Sequence, residues 1–116
     1  MTSLVKATVG VVRKVRRASA NSTTPESRVV AAVKRWAVLH KGVYLVRVVQ
    51  GGESGIADII LCIKGRFVAV ECKATGEKPR ALQMVHGERV QNAGGIFIWG
   101  DDATVIPELG KLYSEL

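Results

Sequence analysis

At 116 residues the chain is long enough for a single hydrophobic core that needs neither disulfides nor a structural metal. Apolar residues make up 47% and charged residues 23%, unlike a fibrous or disordered chain, and no apolar run approaches the ~20 residues that span a bilayer. Seventeen Lys and Arg against 10 Asp and Glu give a net charge of +7 and a pI near 9.9, which favours polyanionic partners such as nucleic acid or an anionic surface.

Residues 1–24 contain Lys6, Arg13, Lys14, Arg16 and Arg17 and no acid, and they close in a Ser/Thr/Asn-rich stretch. They read as a basic arm and linker in which Arg13, Lys14, Arg16 and Arg17 would contact phosphates; a frayed terminus and an Arg-rich organelle presequence are the other readings. Ala18-Ser19-Ala20 follows RKVRR where a secretory signal needs an apolar stretch, so secretion is not expected. Residues 25–116 are expected to form one domain.

That domain opens with a helix of about four turns, with Thr24 as cap, Pro25 at the first helical position and Gly42 past the end. Val29, Val30, Val33, Trp36, Ala37 and His40 recur at three- and four-residue spacing. Glu26, seven residues before Val33, falls on the same inward stripe; the plainer reading is a first-turn glutamate favoured by the helix dipole. A β-branched strand (43–49), a glycine-rich loop QGGESG (50–55) and two strands, DIILCI and RFVAVECK, follow, the last two flanking Lys64-Gly65 as a hairpin. A loop (TGEKP), a helix within PRALQMVHGERVQNAGG closed by Gly94, a strand IFIW, a short strand TVI (104–106) and a helix from about Pro107 complete the order αβββαββα. Cys62 and Cys72 have no CxxC spacing and no suitable His pair, so they read as buried thiols in a reducing compartment. His40 is expected to interact with its helix dipole, His86 to lie on a helix surface, with an approach to the site from three residues beyond Gln83 as the other reading, and Trp36 and Trp99 to serve core or interface rather than base stacking.

A two-residue turn at Lys64-Gly65 pairs Ile63 with Arg66, and stepping outward along the ladder sets Asp58 opposite Glu71. Opposed residues share a face with Cβ atoms ~5 Å apart, and Lys73, two residues beyond Glu71, shares it too. A three-residue turn would shift this register by one. Two adjacent carboxylates repel unless something positive lies beside them. A hard divalent cation meets that requirement, since Mg²⁺ takes oxygen ligands from one or two carboxylates and leaves positions for water and phosphate. A strand-end ion pair between Lys73 and an acid is the plainer reading.

An Asp at the start of one strand and Glu-x-Lys in the next resembles the PD-(D/E)XK nuclease superfamily. The leading Glu26 helix, GESGIAD (52–58), GRFVAVECKA (65–74) and ALQ (81–83) are similar to the VRR-NUC family, the virus-type replication and repair nuclease domain, over about residues 25–99. The resemblance implies a restriction-endonuclease-like core, a mixed central sheet flanked by helices. It implies that Asp58, Glu71 and the Cys72 backbone carbonyl bind Mg²⁺ or Mn²⁺, that Lys73 is the catalytic lysine, that Glu26 reaches the metal directly or through water, and that Gln83 supports the lysine and the substrate phosphate. Ala57 stands where the family usually has proline.

The implied activity is metal-dependent endonucleolytic hydrolysis of DNA, on branched substrates such as Holliday junctions, by a homodimer without membrane attachment. Lys78 and Arg80 would extend the DNA-binding surface, as could Lys64 and Arg66. A cytoplasmic location follows, the bacterial host's cytoplasm if the chain is phage-encoded. Two rivals are a non-catalytic nucleic-acid-binding module on the same fold and an interaction subunit whose acidic pair is structural.

Overall fold

A computed structural model describes residues 24–49 and 55–116, which form three helices and four strands. Helix α1 (Pro25–Leu39) starts where expected: the Thr24 hydroxyl accepts from the Ser27 N–H at 3.1 Å, and Pro25, lacking a donor, occupies the first turn. It ends at His40, whose Nδ1 lies 2.7 Å from the Trp36 carbonyl, so the imidazole satisfies a C-terminal acceptor, in keeping with the expected place of His40 at the helix end. Gly42 (φ 82°) then turns the chain into strand β1 (Val43–Arg47), two residues shorter than its β-branched run.

Strand β2 (Ile59–Ile63) and strand β3 (Arg66–Cys72) form the expected hairpin. Lys64 (φ 49°) and Gly65 (φ 89°) both adopt left-handed conformations, the pattern of a two-residue type I′ turn, and the pairing runs from Ile63–Arg66 to Ile59–Val70. Helix α2 (Ala81–Asn92) then carries the chain to strand β4 (Ile96–Gly100), parallel to β3, and helix α3 (Asp102–Glu115) closes the fold. The sheet order is β1-β2-β3-β4, with the first two pairings antiparallel. The mixed sheet between helices agrees with the expected fold class, and the element order is αβββαβα.

One element differs from expectation. Thr104–Ile106 is not a strand, because Asp101 caps a helix that begins at Asp102: its carboxylate accepts from the Thr104 N–H at 3.1 Å and its carbonyl from Val105 N–H at 2.8 Å. Val105 and Leu109, one helical turn apart, are fully buried, and this anchorage outweighs the β-branched composition. Pro107 sits inside the helix on its exposed side, where it forfeits a single bond to the Ala103 carbonyl.

One sheet face holds the core. Val29, Val33 and Trp36 of α1 and Val105 and Leu109 of α3 pack on Ile59, Leu61, Ile63, Val68 and Val70. The period-2 alternation of β2 places Cys62 on the other face, where it is exposed rather than buried as expected, whereas Cys72 is buried; both thiols are free. Helix α2 covers part of that second face by close approach: a Cβ on Gly87 would overlap the Phe97 ring. Near the hairpin turn, Trp36 stacks on His40 (4.2 Å between centroids) and the Tyr113 hydroxyl donates to the Lys41 carbonyl at 2.7 Å, tying the ends of α1 and α3 together.

Candidate active site

The register places Asp58 one step beyond the Ile59–Val70 pair, opposite Glu71. Its Oδ2 accepts from the Cys72 N–H at 2.8 Å while its carbonyl accepts from the Val48 N–H at 2.8 Å, so the aspartate is fixed between β1 and β3 at the sheet end. Glu71, opposite Trp99 in β4, is only 2% exposed, and Lys73 is 8% exposed, its N–H continuing the parallel pairing to the Gly100 carbonyl at 2.9 Å. The Lys73 ammonium lies 3.5 Å from Glu71 Oε2.

Gln83 reaches the site from the first turn of α2. Its Oε1 accepts from the Arg80 N–H at 2.8 Å, the half of a capping box supplied by the third helical residue. Its Nε2 donates to Glu71 Oε2 at 2.6 Å. The side chain therefore caps its own helix and orients Glu71 directly; the expected support of Lys73 is routed through that shared carboxylate oxygen.

Glu26, Asp58, Glu71, Lys73, Lys78, Arg80 and Gln83 line one cavity of about 490 Å³, together with Glu77. Seven candidate side chains named from the sequence thus lie around one cavity. Glu26 corrects one detail of the helical-stripe reading: the buried face of α1 begins at Val29, and Glu26, in the first turn, is exposed at the cavity rim. Arg13, Lys14, Arg16 and Arg17 lie outside the described residues. Lys64 and Arg66 sit at the hairpin turn, where Lys64 lies over the Tyr113 ring and Arg66 donates to the Gly94 carbonyl at 3.2 Å. His86 lines a second, mostly apolar cavity of about 130 Å³ with Ile56, Ala57 and Phe97. Gly55 (φ 87°) approaches α2 so closely that a Cβ would lie 2.9 Å from the Leu82 carbonyl, so this glycine permits close approach to the helix three residues before Asp58.

Sequence reasoning missed Glu77. In the loop before α2 it carries no periodic signal, and only the tertiary fold brings it to the cavity that Glu26 also lines. Thr75 was missed as well: its hydroxyl donates to Asp101 Oδ2 at 2.6 Å, holding that loop to the start of α3 and, with the Thr104 bonds, drawing the Asp101 carboxyl below its usual pKa.

Burial, then the neighbouring Asp58 charge, push the Glu71 carboxyl up to about 7 against the opposing pull of Lys73. Glu26 is also raised, by burial of its carboxyl and by the contact with Glu77. Burial drives the Cys72 thiol up to about 12, so its backbone and not its sulfur is what it can offer the site.

The donor set suits a hard divalent cation. Glu71 Oε1 is buried without a hydrogen-bond partner, on a residue that lines the same cavity as Asp58. Among the described residues no three His, Cys, Asp or Glu side chains gather into a metal cage. Mg²⁺ requires none, binding through one or two carboxylates with water and phosphate completing its shell.

No family model matches the sequence, and no curated protein does. The structure is similar to a solved VRR-NUC domain, with a TM-score of 0.60 and 27% sequence identity over 79% of this chain and 97% of that one. The hairpin register, the mixed sheet and the convergence of Asp58, Glu71, Lys73 and Gln83, taken with that likeness, support the resemblance of this chain to a VRR-NUC domain.

Proposed function

We propose that this chain is a divalent-metal-dependent DNA endonuclease that cleaves branched DNA as a homodimer in the cytoplasm. The observation that carries the reading is the buried Glu71 carboxylate, on a residue that lines the cavity with Asp58: one oxygen is held by Gln83 and Lys73, and the other is buried without a partner. A strand-end ion pair would leave no buried oxygen orphaned, since such an atom costs about 1–3 kcal/mol.

In this mechanism Asp58, Glu71 and the Cys72 carbonyl would hold Mg²⁺ or Mn²⁺, with Glu26 at the rim. Such an ion, when bound, lowers the pKa of water and offsets phosphate charge. Lys73 orients the attacking water and stabilises charge developing on the phosphoryl oxygens, in a setting where burial strengthens its field. Gln83 keeps the Glu71 carboxylate turned toward the cavity. Lys78 and Arg80, on the cavity rim, bind the flanking phosphates. No described helix is long and apolar enough to cross a membrane.

The test is cleavage of a labelled four-way junction, beside linear duplex, flap and single-stranded DNA, in Mg²⁺, Mn²⁺ or EDTA. Wild type should make paired symmetric cuts with metal only, while Lys73→Ala and Glu71→Ala lose at least about 100-fold in rate, the scale of removing one charge-stabilising group. Both variants should still bind DNA. The Lys73–Glu71 ion pair of 3.5 Å favours the alternative, a non-catalytic DNA-binding module, and metal-independent binding without new DNA ends from any substrate would establish it.

A further inference from the structure

The loop between β3 and α2 brings Lys78 and Arg80 to the cavity, and both side chains are exposed. A loop that became fixed only when a phosphate arrived would lose conformational entropy at that moment, so whatever holds it beforehand bears on affinity. Here it is held at three points. At its start the Lys73 N–H donates to the Gly100 carbonyl at 2.9 Å, and at its end the Arg80 N–H donates to Gln83 Oε1 at 2.8 Å. Between them the Thr75 hydroxyl donates to Asp101 Oδ2 at 2.6 Å, the length of a hydrogen bond to an ionised acceptor.

Thr75 lies in a turn that closes on itself. The Glu77 N–H donates to the Ala74 carbonyl at 3.0 Å, Gly76 (φ 88°) takes the left-handed position, and Glu77 Oε1 accepts from the Ala74 N–H at 3.3 Å. Lys78 follows this turn directly, and Pro79 restricts the backbone between it and Arg80. Asp101 is itself fixed, because its Oδ1 accepts from the Thr104 N–H at 3.1 Å at the start of α3. One carboxylate therefore caps a helix with one oxygen and holds the turn with the other.

The geometry points to Thr75 and Asp101 as positioning residues for DNA: their hydrogen bond docks the turn on the start of α3 and so sets Lys78 at the cavity rim for a phosphate beside the scissile one. The inference rests on the nuclease reading above and deepens it. Neither Thr75 nor Asp101 lines the cavity, so the pair acts through Lys78.

Binding of labelled four-way junction DNA in EDTA, by fluorescence anisotropy, and cleavage in Mg²⁺ at saturating DNA separate this role from a structural one. Thr75→Val removes the bond and spares the Asp101 cap of α3, so circular dichroism should match wild type. Its Kd should rise roughly tenfold, the scale of one hydrogen bond to a charged group, while kcat stays within about twofold. Thr75→Ser keeps the hydroxyl and should restore Kd. In a Lys78→Ala background, Thr75→Val should weaken binding by less than about twofold more, because the two changes remove the same contact. An unchanged Kd in Thr75→Val, or full additivity with Lys78→Ala, overturns the positioning role and leaves the proposed nuclease intact. If wild type binds the junction but cleaves no substrate, the nuclease reading falls and Kd alone decides the role of Thr75. Wild type that binds no DNA overturns both.

Discussion

Glu71 sits where a carboxylate is least comfortable, buried beside Asp58, and the Lys73 ammonium offsets only part of that. Its pKa rises from 4.5 in the unfolded chain to about 7, so the native state binds the extra proton. The stability this contributes is fully present below pH 4.5 and is lost as pH rises to about 7. Melting in EDTA between pH 4.5 and 8 should therefore show stability falling by on the order of 2–3 kcal/mol, at about 1.4 kcal/mol per unit. Glu71→Gln should flatten most of that slope, with a remainder from Glu26, whose pKa is raised in the same direction. Under the proposed metal-dependent reading, Mg²⁺ would bind the ionised form and should restore stability above pH 7. At this scale the sequence was legible wherever position tracks strand parity: Asp58, Glu71 and Lys73 share a face because side chains alternate. Glu77 was not legible, since a loop has no period to place it.

The hairpin was the most readable element, because Lys64-Gly65 admits a two-residue turn and that turn sets every pairing outward to Asp58. Helix α2 was readable as a helix but not in its docking. Its buried residues are Gln83 and Gly87, a polar side chain and none at all, so no apolar stripe announces the face it presents. Gly87→Ala should destabilise the protein by roughly 1–3 kcal/mol in urea unfolding, despite a helix-propensity gain of about 1 kcal/mol, because the methyl meets Phe97. Combining it with Phe97→Leu should recover part of that loss. Cleavage should fall in Gly87→Ala as well, since lifting α2 draws Gln83 away from Glu71. Helix α3 shows the converse: the run Thr104-Val105-Ile106 has strand composition, but an Asp101 cap and two buried residues one turn apart decide for helix.

For the whole molecule, the proposed function assigns non-specific attraction to the basic charge balance and chemistry to the acidic cavity. DNA binding should weaken steeply with salt, and replacing Arg13, Lys14, Arg16 and Arg17 with alanine should lower the slope of log K against log salt by up to about 3–4, near 0.9 for each phosphate that is no longer neutralised. Fluorescence anisotropy of labelled junction DNA over a salt series measures it, and an unchanged slope would remove the arm from the interface. The sequence by itself determined the class of fold, the hairpin register and the shared face of the candidate residues Asp58, Glu71 and Lys73, because those follow from local periods and turn chemistry that need no distant partner. Only the tertiary structure decided which oxygen of Glu71 is left unpartnered, that Gln83 holds Glu71, and that Glu26 and Glu77 line one cavity. Those facts depend on how α1, α2 and the loop after β3 close over one end of the sheet, and contacts between segments far apart in the chain leave no periodic trace in the sequence.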